Sequence, residues 1–494
     1  MSRDATDQRG RPARVILVSN RGPLTFRRDE DGTLRYERGG GGLVTALEGL
    51  VEHTPALWIS VAISDADREL AEQHGGSFPV EQVGIGTRLR FVPLDAQVYH
   101  RYYNVIANPM LWFIQHYLWD LSNAPNIRAH ELEAWEHGYQ AANRAFADAV
   151  VDELEDEQNP VVMLHDYHLY TAPGAIRARR PDAFLHFFVH IPWSQADYWR
   201  VLPPHIRETI LRGLLACDIV AFHTNHYCRN FLRCCEELLD ATVDYRHRTV
   251  AWEGRTVWVR SYPISVNAQA FERAAHSDEV AAEEAQILRR RRAHLVVRVD
   301  RTDLSKNTLR GFTAFDVFLD RHPEFREDIT FLALLQPSRQ DVDEYVEYVE
   351  KIKDAVSHIN TKHGTTDWMP IDLRIASNLP RAIAAYKHYD ALIVNPIFDG
   401  MNLVAKEAPL VNERDGVMIL SENAGAHEEL GEFALSINPF DIEAQADALH
   451  RALTMPAAER HHRLNEIKRV VHENDIGKWL DGQTRDIALK RAAG

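Results

Sequence analysis

Cysteine is scarce: Cys217, Cys228, Cys234 and Cys235 are the four in 494 residues, and they fall within one short stretch without the paired C-x-x-C spacing of a zinc site. A disulfide scaffold is therefore not indicated, and buried free thiols in a reducing cytosol are expected. Long apolar runs are missing too. None approaches the roughly 20 residues of a membrane span, and the opening "MSRDATDQRGRPAR" lacks the apolar segment of a secretory signal. The expected location is cytoplasmic, with no membrane partner. Positive charge is in deficit, with Lys+Arg 56 against Asp+Glu 72 and a formal net charge of -16. That argues against a nucleic-acid partner, which needs a basic face, so any phosphate site must be built locally from a few cations and backbone amides. Homo-oligomerisation is left open. There is no G-x-x-x-x-G-K-[ST] loop and no G-x-S-x-G elbow, which removes support for ATPase and α/β-hydrolase chemistry. The tripeptides Asp65–Asp67 and Asp341–Asp343 have the D-x-D form but read as helix starts, where acids cap. A metal-dependent site is not indicated, and no cofactor is expected.

What is present is an alternation of short β-branched runs with amphipathic stretches, the pattern of βα units and a parallel sheet. In the first half the strands are "RVILVSN", "LWISVA", "RLRFVPL", "VVMLHDY", "FLHFFVH" and "IVAFHT", and "TVDYRHRTVAWEGRTVWVRSYPI" reads as a closing hairpin. "SVNAQAFERAAHSDEV" reads as a connector, after which the alternation restarts with "AHLVVRVD", "ITFLALLQ", "IDLRIAS", "ALIVNP", "VMILSE" and "ALSINPF". The arginine run Arg289 to Arg292 reads as the solvated end of a helix with intrahelical pairing. At this length two domains are the default. The expected fold class is α/β, with two Rossmann-like doubly wound domains facing a central cleft. The first covers residues 1–266, with a terminal helix over 476–494 packing back on it, and the second covers 267–475. In open α/β sheets ligands bind outside the carboxyl ends of the strands, and the informative residues lie there.

Ser19, Asn20 and Arg21 end the first strand, and Gly39 to Gly42 precede a helix. Such glycines let backbone amides approach a phosphate, although a flexible loop has the same composition. His165, Asp166, Tyr167 and His168 end one strand and His190 to Trp193 another, as structural hydrogen-bonding groups or as a shared pocket for hydroxyls. Tyr103 and Trp112 lie on a long aromatic helical stretch, as core or as cleft lining. In the second half Arg301 and Lys306 sit between strand and helix, and Arg339 has the same place one unit later. Asp399 and Gly400 precede a helix whose first amides, at Met401, Asn402 and Leu403, are free donors. Glu407 lies two turns in, placed to accept from a ribose diol. Cations and amides at successive strand ends point to a diphosphate site.

These motifs resemble those of the retaining glycosyltransferases that include trehalose-6-phosphate synthase, family 20. The likeness runs from "VSNRGP" to "NDIGKW" and rests on "SNR", "GGL", "YYN" with "LW", "HDYH", "HIPW", "R-x-D-x-SK", "PSR" and "DGMNLVAKE". It implies a GT-B fold and metal-independent transfer of glucose from an NDP-glucose to glucose 6-phosphate, giving α,α-trehalose 6-phosphate. By the same resemblance Arg21 and Arg339 hold the acceptor phosphate, and Tyr103 and Trp112 shape the acceptor pocket. Asp166 and His190 contact the sugars at the reacting centre. Gly42, Arg301 and Lys306 face the donor diphosphate. Asp399 with Gly400, Met401, Asn402 and Leu403 holds donor glucose and phosphates, and Glu407 the ribose. Asn307 replaces the family's usual glycine after "SK", and Ser265 stands where a glycine is common. "RTDLSKN", "HIPWSQADYWRVLP" and "EAPLVNERDGVMILSE" look more like a pseudo-glycosyltransferase branch that joins cyclitols into validoxylamine phosphate. Glucosylglycerol-phosphate synthase is another relative, and a non-catalytic sugar-phosphate sensor is an alternative of a different class.

Overall fold

Apolar β-branched runs become strands buried on both faces, as parallel sheets covered by helices require. The computed structural model describes residues 15–39, 47, 56–83, 87–155, 157 and 159–493. The chain divides into two units, Met1–Tyr262 with Trp479–Gly494, and Pro263–Lys478.

The first unit contains β1 (Val15–Val18), β2 (Leu24–Arg28), β3 (Leu34–Arg38), β4 (Ala56–Val61), β5 (Phe78–Pro79), β6 (Arg88–Val92), β7 (Val161–His165), β8 (Phe184–Phe188) and β9 (Ile219–Phe222), followed by β10 (Thr242–Asp244), β11 (Thr249–Trp252) and β12 (Arg255–Ser261). Its large sheet runs β10-β11-β12-β9-β8-β7-β1-β4-β6-β5. From β12 to β6 the neighbours are parallel. The segment read as a hairpin is a three-stranded antiparallel meander, β10 to β12, whose last strand joins β9 in parallel. β2 and β3 form a separate ribbon. The C-terminal helix, Ile476–Ala493, contributes to this unit: Tyr262 Oη donates to Asp486 at 2.8 Å, and Trp479 meets Phe188 edge-on at 5.4 Å.

The second unit is a six-stranded parallel sheet of β13 (His294–Arg301), β14 (Ile329–Gln336), β15 (Ile371–Ile375), β16 (Ala391–Val394), β17 (Val417–Ser421) and β18 (Leu435–Ile437) in the order β15-β14-β13-β16-β17-β18. Phe312, Phe315 and Phe318 of the helix after β13 pack on Phe331, Ile352 and Leu449 in its core. Each such buried side chain contributes on the order of 1.5–3 kcal/mol.

Each sheet has a central switch point where neighbouring parallel strands lead away in opposite directions, between β1 and β7 and between β13 and β16. Those switch points, at the carboxyl ends, are where doubly wound sheets bind ligands.

Two expectations are corrected. The supposed connector contains helix Ala268–Ala274 and the start of helix Asp278–Arg290, capped by Asn267 and Ser277, whose side chains accept from the amides of Ala270 and Val280. The arginine run pairs outward, not within its helix: Arg290 with Asp372 at 3.7 Å and Arg291 with Asp390 at 2.6 Å. Cys217, Cys228, Cys234 and Cys235 are free and buried. No helix among the described residues is long and apolar enough to cross a membrane.

Candidate active site

In the first unit the switch point is flanked by the loop after β1. Ser19 and Asn20 are buried, Trp58 Nε1 donates to Ser19 Oγ at 2.8 Å, and Tyr102 Oη donates to Asn20 Oδ1 at 3.0 Å. Gly22 passes so close to β4 that a Cβ there would lie 2.4 Å from Ser60 Oγ. This ties the backbone down and leaves Arg21 exposed beyond it. Partial desolvation by the rings around it opposes charge, yet Tyr103, by charge and hydrogen bond, then Tyr99 and Tyr167, hold the guanidinium above its ordinary range. Tyr103 stacks between Tyr99 at 5.3 Å and His168 at 5.7 Å. Trp112 is buried, stacked on His116 at 3.9 Å and tilted against Tyr167 at 5.5 Å. The aromatic stretch is a wide π-type helix over His100–Trp112 with Pro109 inside it.

Across the switch point β7 ends at His165 and turns through Asp166, which holds φ 74, a left-handed conformation rare outside glycine. Such a residue costs on the order of 1–3 kcal/mol and concentrates at functional sites. The amide of Asp166 bonds Phe188 O at 2.8 Å, and its Oδ1 accepts the His190 amide at 3.3 Å. The His190 ring stacks on Phe188 at 4.4 Å and lies near His223 and Trp479. Burial first, then His223, His165 and His186, push it well below the usual histidine range, so it is a neutral imidazole. Gly42 lies outside the described residues.

In the second unit β13 carries charge into its last residues. Arg298 is fully buried, and its Nε donates to Asp300 Oδ2 at 2.9 Å while its other arm reaches Lys306 O. Burial pushes the Asp300 carboxyl up to about 6 against the pull of Arg298 and Lys306. Arg301, partly exposed, lies 3.7 Å from Asp303. Asp303 is fully buried and also takes Arg339 at 2.5 Å, while Arg339 reaches Tyr345 Oη at 2.6 Å. Arg301 and Arg339 therefore share one carboxylate. Lys306, on a single helical turn, meets Asp399 Oδ2 at 2.5 Å across the β13/β16 switch point, and Asn402 Nδ2 meets the same oxygen at 3.1 Å.

Asn307 holds φ 60, the conformation that favours a glycine, and asparagine is among the few other residues that accept it. Its Nδ2 bridges Asn395 O at 3.0 Å and Pro439 O at 2.7 Å, tying the turn after Lys306 to two other strand ends. Ser265 is buried, 2 % exposed.

The third expectation to be corrected concerns the segment after β16. The helix begins at Val404, not Met401, because Asn402 is left-handed at φ 74. Met401, Asn402 and Leu403 therefore form a turn upstream, held where Ala426 N donates to Met401 O at 2.9 Å and Gly425 N to Asp399 O at 3.0 Å. The amides of these three have no acceptor among the described residues, so they remain donors, from a turn instead of a helix end. Gly425 passes so close that a Cβ on it would lie 2.0 Å from Gly400 O. Glu407 then falls in the first helical turn, not two turns in, and desolvation pushes its carboxyl up to about 7.

Arg298 and Asp300 were passed over in the sequence, and Asp303, part of "R-x-D-x-SK", was given no role there. Their signal was a charged residue at every second or third place, "RVDRTD", where a parallel strand ends. Among the described residues three clusters of histidine with carboxylates lie elsewhere. Lys387 and Lys362 sit among the acids of two of them, and in the third His322 and His450 stack nearly parallel, so their lone pairs do not converge.

The model of glycosyltransferase family 20 matches residues 13–489. An "Alpha,alpha-trehalose-phosphate synthase [UDP-forming]" of Schizosaccharomyces pombe is 34% identical over 485 residues, 96% of this chain and 90% of that one. A "Validamine 7-phosphate valienyltransferase" of Streptomyces hygroscopicus subsp. jinggangensis is 33% identical over 487 residues, 97% and 95% of the two. The crystal structure of an alpha,alpha-trehalose-phosphate synthase (UDP-forming) from Burkholderia xenovorans in complex with glucose-6-phosphate superposes with a TM-score of 0.82 at 29% identity, covering 96% of this chain and 100% of that one. The fold is GT-B, and the chain belongs to glycosyltransferase family 20.

Proposed function

We propose that this chain is a retaining glucosyltransferase that moves glucose from an NDP-glucose to glucose 6-phosphate, forming α,α-trehalose 6-phosphate. The observation that carries the reading is the arrangement at the β13/β16 switch point. Lys306 pairs with Asp399 just before a turn, Met401 to Leu403, whose amides have no acceptor among the described residues and which leads to Glu407, and Arg301 ends the strand that precedes Lys306. That set suits a nucleoside diphosphate: cations and amides for the phosphates, a carboxylate for the ribose hydroxyls. The relatives named for UDP-forming synthesis and for a glucose-6-phosphate complex support the same substrates.

In this reading the bond from the anomeric carbon to the diphosphate oxygen breaks while the acceptor hydroxyl bonds to that carbon on the same face. The hydroxyl proton passes to the departing phosphate oxygen. Arg301, Lys306 and the turn amides offset the charge that grows on the diphosphate, the kind of fixed electrostatic stabilisation that does most where water is excluded. No metal enters the scheme. Arg21 and Arg339 hold the acceptor phosphate, Tyr103 and Trp112 shape its pocket, and Asp166 and His190 meet sugar hydroxyls. Four buried free thiols suit a reducing, cytoplasmic setting.

The valienyltransferase relative favours a second reading, coupling of cyclitols to a phosphorylated acceptor. A mass-spectrometric product assay separates the two. Purified protein is incubated with glucose 6-phosphate and with UDP-, GDP- or ADP-glucose in turn, in the presence of a chelator. A disaccharide phosphate that yields α,α-trehalose after phosphatase treatment is the expected product. No product with any of the three, together with product from a nucleotide-activated cyclitol, would replace the first reading by the second.

A further inference from the structure

β7 and β8 lie side by side, and each delivers an imidazole at its carboxyl end. His165 closes β7, and His190 follows β8. His165 Nδ1 and His190 Nε2 are 3.1 Å apart. His165 is fully buried, and its other ring nitrogen, Nε2, has no hydrogen-bond partner among the described residues. His190 is partly exposed, and the bond to His165 is its one ring hydrogen bond among the described residues.

Burial, and then His186, holds His165 down to about 3, and His190 is lowered by burial and by its histidine neighbours. Both rings are thus neutral, each carries one proton, and a single proton lies between them. If His190 donates, the proton of His165 must sit on Nε2, leaving a buried N–H without an acceptor. If His165 donates from Nδ1, its Nε2 carries a bare lone pair. Buried donors without partners are rarer than unmet acceptors, because nothing replaces the water they lose. The second arrangement wins, and the proton of His190 is left on Nδ1.

We propose that His165 is a positioning residue that fixes His190 as the Nδ1–H tautomer, so that His190 offers a ligand a hydrogen-bond donor and not an acceptor. The ligand class that follows is a hydroxyl oxygen of a sugar acting as acceptor, and this consequence rests on the reading of His190 as a sugar contact. The tautomer itself does not. A ring nitrogen's protonation is set by what the other nitrogen bonds, as it is for metal-bound and catalytic histidines.

The test uses the full chain, deuterated and labelled with 15N-histidine, in long-range proton–nitrogen spectra near neutral pH, with H190F to assign the resonance. The expected result is an Nδ1-protonated His190 in the wild type. In H165F it shifts toward the Nε2–H form that an unconstrained neutral histidine side chain prefers. H165N, whose amide nitrogen falls where Nδ1 stood, keeps the Nδ1–H form. Turnover should fall on the order of tenfold in H165F and return in large part in H165N. A purely structural role would not move the tautomer. An Nε2-protonated His190 in the wild type, or a tautomer unchanged in H165F, overturns the proposal, and the wild-type and H165N spectra decide it even if H165F does not fold. If the tautomers follow the proposal but H190F turns over normally, the sugar contact of His190 fails and the positioning by His165 stands.

Discussion

At Asn307 one side chain does what the backbone and two neighbouring loops need together. Replacing it with glycine keeps the left-handed turn but removes the bonds to Asn395 O and Pro439 O, at a net cost of about 1–2 kcal/mol. Alanine removes the same bonds and adds strain at φ 60, about 1 kcal/mol more. Urea unfolding should therefore rank the wild type above N307G, and N307G above N307A. Glu407 gives a prediction in pH. Its folded carboxyl is raised from 4.5 to about 7, so the stability tied to its protonation is present below about 4.5 and lost as pH rises through about 7. If ribose hydroxyls donate to the ionised form, nucleotide affinity rises with pH up to about 7 and then levels. Calorimetry in buffers of different ionisation enthalpy should show proton release on binding below pH 7, and E407Q should abolish both effects.

The ends of β7, β8 and β9 gather three buried or half-buried imidazoles, His165, His190 and His223, and a fourth, His186, lies buried in the middle of β8. His165 and His186 are held to about 3, mainly by burial, against 6.5 when unfolded. The unfolded chain binds protons that these folded groups refuse. Their stabilisation is complete above about 6.5 and is lost as pH falls toward 3. Denaturant midpoints between pH 7.5 and 5 should drop, and H186F, which cannot titrate and leaves no orphaned ring nitrogen, should shrink the drop. The same elements show what can be read without coordinates. Strands such as Ala56–Val61 and Val161–His165 are buried throughout and stand out as apolar runs. The helix capped by Asn267 was missed, and the one capped by Ser277 was seen only at its arginine end, because polar residues crowd their exposed faces; the start at Val404 was misplaced because the one sign of a left-handed residue in "DGMNLV" is an asparagine, which adopts that conformation only sometimes. Residue types at strand ends were legible from spacing. Their partners were not: Lys306 and Asp399, or His165 and His190, meet only because parallel crossovers bring distant segments to the carboxyl ends of neighbouring strands.

Each unit repeats one plan, a doubly wound sheet with its chemistry at a switch point, and the proposed substrates are divided between the two plans. Hydrogen exchange on the whole protein should resolve that division. UDP should slow exchange at residues 301–307 and 399–407. Glucose 6-phosphate should slow it at 19–22 and 166–168. Uniform protection from either ligand would count against the assignment of substrates to separate sheets.

Asp166 carries a genetic consequence. Its backbone sits at φ 74, where glycine is the residue the chain conformation favours most. In a pooled library of every substitution at this codon, scored once for cellular abundance and once for product, glycine should keep its abundance and lose its product. Valine and isoleucine should lose both. One position would thereby separate selection for the carboxylate from selection for the fold.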